Sequence, residues 1–236
     1  MDTTLKLLQS YWGRDKIIRT ISYACMLGAG STKGSTAVKL GTIATEISKT
    51  RTVLRLFDDL LLIKYTTTYG LGKQERDPVY RILQILNNIS DTLFFPVEHV
   101  AWLGEYKIIP WPPAKWSVAC LAVWATSLSL SILRCLRRMA VTRYRIRRLV
   151  KQRKLESPEK SDQALKDEIH ALRIQQMTDL MTMIKSAFDL MNAINWLPAG
   201  FLWSGRFSTA YSGFFGLVSS LVGIYLTVAS SKAKTS

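Results

Sequence analysis

The chain has 236 residues, 48% of them hydrophobic, and its 32 Lys+Arg against 17 Asp+Glu give a formal charge of +15. That length suits one large domain or two small ones, the apolar content excludes disorder throughout, and the basic surplus argues against an ordinary neutral cytosolic enzyme. Cys25, Cys120 and Cys135 lack the spacing of a zinc site or redox dithiol and are odd in number, so they read as reduced packing residues, and His99 and His170 are too far apart in sequence to suggest a metal centre.

In chain order, Met1-Asp2-Thr3-Thr4 leads to Arg14, Asp15 and Lys16 before any apolar run, which is not a secretory signal. Leu5, Leu8 and Trp12, then Ile17, Ile18, Ile21, Ala24 and Cys25, predict two short helices separated at Gly13. Gly28-Ala-Gly30-Ser-Thr-Lys33-Gly34-Ser35-Thr36 has the composition of a phosphate loop but not its order, because lysine precedes glycine and no strand leads in; a flexible inter-helix loop is expected. Leu40, Ile43, Ile47, Leu54, Phe57, Leu61 and Tyr65 share one helical face, while Glu46, Lys49, Arg55, Asp58 and Asp59 lie elsewhere, predicting one long amphipathic helix that ends near Gly70 and Gly72. The adjacent Asp58 and Asp59 diverge on a helix and do not form an acid/base pair.

Asp77-Pro78 reads as N-cap and first helical position for a helix through Ile82, Leu83, Ile85, Leu86, Ile89 and Leu93, closed by Pro96 and the Pro110-Trp-Pro-Pro113 cluster. Asn88-Ile-Ser90 matches a glycosylation acceptor by chance, given the missing signal. Two runs are free of charge for long enough to cross a bilayer, Trp116 to Leu133 and Phe207 to Ser231, with Trp111, Trp116, Trp203 and Phe207 near one end of each. Neither shows the polar stripe of a soluble helix. Between them Arg134, Arg137, Arg138, Arg143, Arg145, Arg147, Arg148, Lys151, Arg153 and Lys154 arrive without an acid. This block suits anionic headgroups better than nucleic acid, since Met139, Val141, Ile146 and Leu149 are interleaved and Tyr144 is the only aromatic with it. Ser157-Pro158-Glu159 then reads as the cap of a helix carrying Leu165, Ile169, Leu172, Leu180, Met183, Ala187, Met191 and Ile194 to an end at Trp196-Leu197-Pro198-Ala199-Gly200.

The fold expected is an all-α, multi-helix integral membrane protein with amphipathic helices and about two transmembrane helices. Its parts are an N-terminal amphipathic region (1–112), a first span (113–136), a basic linker and amphipathic helix (137–206), a second span (207–231) and a short tail (232–236). In the second span Ser208, Ser212, Gly216 and Ser220 recur every four residues, and this small face, centred on Ser212, Gly216 and Ser220, is expected to serve self-association or to pack on the first span. No nucleophile, base and orienting group converge, so no catalysis, cofactor or metal is expected.

Several strings resemble the peroxin-eleven family of peroxisomal membrane proteins, its gamma type most closely: Tyr11-Trp-Gly-Arg-Asp-Lys-Ile-Ile-Arg19, Arg51-Thr-Val-Leu-Arg-Leu-Phe-Asp-Asp-Leu60, Tyr69-Gly-Leu-Gly72, Glu98-His-Val-Ala-Trp102 and Asn192-Ala-Ile-Asn-Trp-Leu-Pro-Ala-Gly-Phe-Leu-Trp-Ser-Gly-Arg-Phe207. The resemblance implies a non-enzymatic protein of the peroxisomal membrane that promotes its elongation, proliferation and fission. It implies homo-oligomers, hetero-oligomers with sister proteins, a tail-anchored fission adaptor and its dynamin-like GTPase, and an import chaperone for which Arg137, Arg138, Arg143, Arg145, Arg147 and Arg148 look like a targeting signal or lipid contact. Both termini would be cytosolic and the basic block would face the matrix, against the positive-inside rule. The expected mechanism is shallow insertion of the Leu40 to Tyr65 helix into peroxisomal lipid, concentrated by oligomerisation. The alternatives are a small-solute channel lined by Ser117, Thr126, Ser127 and Ser129, and a basic nucleic-acid-binding helical module.

Overall fold

The computed structural model describes residues 5, 8–153 and 162–233. Lys154 and the expected Ser157-Pro158-Glu159 cap lie outside the described residues, as do the first four residues and the last three of the tail. Seven α-helices occur among the described residues: α1 (Tyr11–Ser31), α2 (Gly34–Leu54), α3 (Asp58–Tyr69), α4 (Pro78–Glu105), α5 (Pro113–Arg153), α6 (Asp162–Asn195) and α7 (Thr209–Ala233), with no strand among those residues.

Local chemistry explains most boundaries, and four differ from expectation. The Ser10 hydroxyl accepts a hydrogen bond from Gly13 N at 3.0 Å, so Gly13 lies in the capped first turn of α1, and the break after the helical Leu5, Leu8 and Gln9 falls at Ser10 instead. The glycine-rich segment is a two-residue joint, Thr32 and Lys33, with Gly34 in the left-handed region at φ +71°, instead of a flexible loop. The expected long helix is broken by a 3-10 turn at Arg55–Phe57 into α2 and α3. α3 does stop before Gly70, whose φ of +53° ends a helix at low steric cost. Asp77 caps α4 as expected, accepting from Val79 N at 3.1 Å and Tyr80 N at 3.4 Å with Pro78 at the first position. α4 then runs on through Pro96 to Glu105.

The helices form a closed circuit in which α3 continues α2 through the 3-10 turn and the other neighbours pack antiparallel. Asp15 meets Arg51 and Ser22 donates to the Ala44 carbonyl (3.0 Å), placing α2 along α1; Thr66 and Thr92 hydroxyls lie 3.0 Å apart between α3 and α4. Arg134 reaches Gln84, Arg138 reaches Asp179 and Asn192 donates to the Ser212 carbonyl at 2.9 Å, joining α4 to α5, α5 to α6 and α6 to α7. α1 closes the circuit on α7 through small residues. A Cβ on Gly30 would lie 2.2 Å from Ala210 N, and one on Gly213 would lie 2.3 Å from Leu27 N, so the two backbones nearly touch. The first span and the basic block are thus one 41-residue helix, α5, rather than a span followed by a linker.

The circuit has two ends. At one lie the start of α1, the end of α7, the α3–α4 connection, the end of α5 and the start of α6; at the other lie the α1–α2, α4–α5 and α6–α7 connections. Gly213→Val should widen the α1–α7 contact and cost about 1–3 kcal/mol. The change reads out as a lowered unfolding temperature in detergent, against Gly223→Ala, whose nearest neighbour would be 3.7 Å away and which should not destabilise.

Candidate functional site, a charged interior inside an apolar shell

Large apolar side chains cover the outside of the circuit while the buried set is dominated by polar groups. Leu60 is 74% exposed, and Val38, Ile43, Leu61, Leu133, Leu136, Phe214, Leu221 and Tyr225 are exposed too. Asp179 (0%), Asp189 (2%), Asn192 (0%) and Asn87 (3%) are inside. A water-soluble bundle sorts its residues the other way. Helix α4 shows the cause in one element: Ile82, Leu86, Ile89 and Leu93 form the outer face, while Gln84, Asn87, Asn88, Asp91 and Glu98 recur at helical spacing on the inner one.

The inward stripes of α1 to α6 line a partly open cavity of about 610 Å³. Asp189 of α6 accepts from Arg19 of α1 and from Ser219 of α7, and Lys185 Nζ lies 3.8 Å from its other oxygen. Arg51 grips Asp15 through two bonds, at 2.8 and 3.2 Å, and Arg55 pairs with Glu98. Asp91 accepts from the Ser127 hydroxyl and from Asn87 at 2.6 Å. Arg134 differs from these cations. It meets Gln84 Oε1 at 2.5 Å and Ser131 Oγ at 3.5 Å, and its Nε, like Arg55 Nε, Asn87 Oδ1 and Glu98 Oε2, has no hydrogen-bond partner among the described residues. The cavity therefore combines balanced charges with spare hydrogen-bonding capacity, held by aromatic walls from Tyr23, Phe94, Trp124 and Trp196.

The structure distributes the expected site residues unevenly. Ile43, Leu54, Leu61 and Tyr65 are exposed on the outer surface, and Leu40 and Ile47 are half-buried; Arg51, Arg55 and Asp58 from the same run line the cavity. These three charges thus turn toward protein, while Glu46 and Lys49 pair with each other at the exposed surface, 3.0 Å apart. Ser212, Gly216 and Ser220 are consumed within the chain: Asn195 donates to Ser212 Oγ at 3.3 Å, Ser220 Oγ donates back to the Gly216 carbonyl at 2.7 Å, and the Tyr23 ring lies against Gly216, where a Cβ would meet it at 2.1 Å. Within the chain that face packs on α1 and α6 rather than on the first span. Of the four polar residues expected to line a pore, Ser127 alone is among the cavity-lining residues; Thr126 and Ser129 donate to carbonyls of their own helix, and Ser117 is exposed.

The basic block is split as well. Arg137 Nε donates to Asp77 at 2.7 Å, Arg138 Nε to Asp179 at 2.8 Å, and Arg145 pairs with Glu168, whereas Arg143, Arg147 and Arg148 project outward at the hairpin tip. The Arg137 hydrogen bond holds the Asp77 carboxyl below its ordinary range. Sequence reasoning saw ten cations without an acid because the acids arrive from α4 and α6.

Asp189→Leu alone should leave Arg19 uncompensated and cost about 3–5 kcal/mol, while Arg19→Met combined with Asp189→Leu should recover most of that loss. Thermal unfolding of the detergent-solubilised variants reads both, and equal destabilisation of single and double variants would exclude this ion pair as the tie between α1 and α6.

Two helical stretches, Pro113–Gln152 and Thr209–Ser231, are long and apolar enough to cross a membrane. The family model of Peroxisomal biogenesis factor 11 (PEX11) matches residues 1–228. Peroxisomal membrane protein 11C from human is 34% identical over 224 residues, covering 92% of this chain and 90% of that protein. Its mouse counterpart is 34% identical over 223 residues, covering 91% and 89%. No solved structure matches the chain. An all-helical bundle with an apolar shell and a match over nearly its whole length place the chain in the PEX11 family of peroxisomal biogenesis factors.

Proposed function

We propose that the protein sits in the peroxisomal membrane and shapes it, promoting elongation and proliferation ahead of fission. The observation that carries the reading is the outward apolar surface of residues 40–65: Ile43, Leu54, Leu61 and Tyr65 face away from the bundle, beside the exposed Glu46–Lys49 pair and Lys64, while Arg51, Arg55 and Asp58 of the same segment line its cavity. Apolar surface of this kind, where it adds more area to one leaflet than to the other, favours curvature. Because α2 and α3 are anchored through Arg51 to Asp15 and Arg55 to Glu98, the wedge acts as part of a bundle and not as a free helix on the membrane surface.

Partners follow from the same reading. Homo-oligomers and hetero-oligomers with sister proteins would concentrate such wedges, and a tail-anchored adaptor would bring the dynamin-like GTPase to the constriction. The exposed Arg143, Arg147 and Arg148 are the part of the basic cluster available to an import chaperone or to anionic headgroups, each cation contributing on the order of 1 kcal/mol near such a surface. Leu54→Asp with Leu61→Asp should abolish tubulation of liposomes by the reconstituted full chain while a fluorescent fusion still reaches peroxisomes. Undiminished tubulation would remove this surface from the mechanism.

A second reading rests on the cavity. A cavity of about 610 Å³ that brings paired charges and aromatic rings together inside an apolar shell suits a small-solute channel. Arg134→Gln and Asp91→Asn should then shift the ion selectivity of the protein in planar bilayers in opposite directions, Arg134→Gln toward cations and Asp91→Asn toward anions. Absence of conductance by the unaltered chain would leave the cavity a structural feature of the bundle.

A further inference from the structure

We propose that the bundle crosses the bilayer six times, through α1, the joined α2 and α3, α4, α5, α6 and α7, and that the end carrying both the start of α1 and the basic α5–α6 tip faces the cytosol. The proposal rests on the membrane location of the chain and goes beyond the membrane-shaping reading, from which it is separately testable.

The argument starts at α7, which is long and apolar enough to span by itself. α1 is locked along it by backbone-to-backbone approach at Gly30 and Gly213, so α1 shares the depth of α7. α1 has 21 residues, about 31 Å of helix, which matches the hydrocarbon core. Its Arg19 is sealed against Asp189 and Ser219, as an ionised group inside a membrane must be. The same logic applies across the bundle. α4 lies along α5, the other candidate span, through Gln84 to Arg134, Asn87 and Asp91 to Ser127, and the close approach of Gly104 to the Trp111 carbonyl. α6 lies between α5 and α7, bound through Asp179, Ser186, Asp189 and Asn192. α2 and α3 complete the return pass that the chain needs between the far end of α1 and the near end of α4.

These helices escape a hydropathy test because each carries a polar stripe toward the interior. The outer faces of α1 and α4 are mainly apolar and continue around the circuit from those of the two spans, whereas on α2 the exposed Glu46 and Lys49 neutralise each other at 3.0 Å. The occupant that fits apolar faces at the depth of α5 and α7 is the acyl chain of the bilayer.

Charge sets the orientation. Residues 137–153 carry eight Lys and Arg, and the α3–α4 connection adds Lys73 and Arg76, all at one end. The three connections at the other end carry only Lys33, Lys107 and Arg206, beside Trp111, Trp203 and Phe207. The positive-inside rule therefore puts the basic end in the cytosol, together with the first turn of α1 and the last of α7. With two spans the basic block and the termini fall on opposite sides; with six they share one.

Single cysteines at exposed connections, introduced into a chain in which Cys25, Cys120 and Cys135 are replaced by alanine, separate the arrangements in intact peroxisomes treated with a membrane-impermeant maleimide. Lys73→Cys and Arg148→Cys should label at once, whereas Lys107→Cys and Arg206→Cys should label only after the membrane is permeabilised. Lys73 pairing with Lys107 on one side and Arg148 with Arg206 on the other would restore two spans and overturn the proposal. Lys107 and Arg206 labelling first would overturn the orientation. For the outer face of α4, Leu86→Cys carrying a fluorophore should be quenched at least two-fold by phospholipids bearing a nitroxide on the acyl chain in proteoliposomes of the full chain. An unquenched probe, or one reached by aqueous quencher instead, would show that another protein or water covers this face and would overturn its assignment to lipid.

Discussion

The Asp189 carboxylate is the point on which the bundle converges. A single buried oxygen accepts from Arg19 of α1 and Ser219 of α7, with Lys185 close to its partner oxygen. Leaving any one of these charges unpaired in a low-dielectric interior would cost several kcal/mol, so three helices are held to one mutual arrangement. The pairs Asp15 with Arg51, Glu98 with Arg55 and Asp179 with Arg138 extend the same constraint to the other helices. Where hydrocarbon surrounds the protein, the apolar faces gain nothing by meeting one another, and specificity has to come from such polar ties and from close backbone packing.

This division of labour frees the outer surface. Since the interior is specified by charge and small residues, the outward Leu, Ile and Phe side chains need no complementary partner within the chain, and their pattern can be set by the membrane. The kink at Arg55–Phe57 illustrates the point: it lets α2 follow α1 and α3 follow α4 while keeping Arg55 directed at Glu98. Surface and interior are thereby separable, so that a substitution on the outer face need not disturb the charged pairs within.

Much of the local structure was readable from the sequence, and little of the pairing. The charge-free runs marked α7 and the first half of α5, and Asp77-Pro78 marked the start of α4, because each depends on neighbours within a few residues. Gly13 and Pro96 misled for the opposite reason: punctuating residues are tolerated where a cap or a packed neighbour supports the turn. The polar stripe at Gln84, Asn87, Asn88 and Asp91 was visible as spacing, yet its direction was not, since amphipathicity alone is equally satisfied by water outside and by polar groups inside. Arg19 and Asp189 are 170 residues apart. A single sequence holds no signal that joins them.

The small-residue face of α7 shows what the completed fold implies for assembly. Ser212, Gly216 and Ser220 carry the spacing that brings helices together in lipid, and they have already been used for α1 and α6. A second copy cannot reach Gly216 without displacing Tyr23, whose ring also stacks with the Arg19 guanidinium 5.2 Å from its centroid, and so without disturbing the Asp189 ties. Contacts between copies are left to the outer faces or to the basic hairpin tip. Of these, the tip carries like charge at Arg143, Arg147 and Arg148, which repels a second tip unless an anionic surface or partner lies between. The apolar outer faces are therefore the surfaces by which copies can approach within the membrane, and the lipid they displace there is the term against which any such association competes.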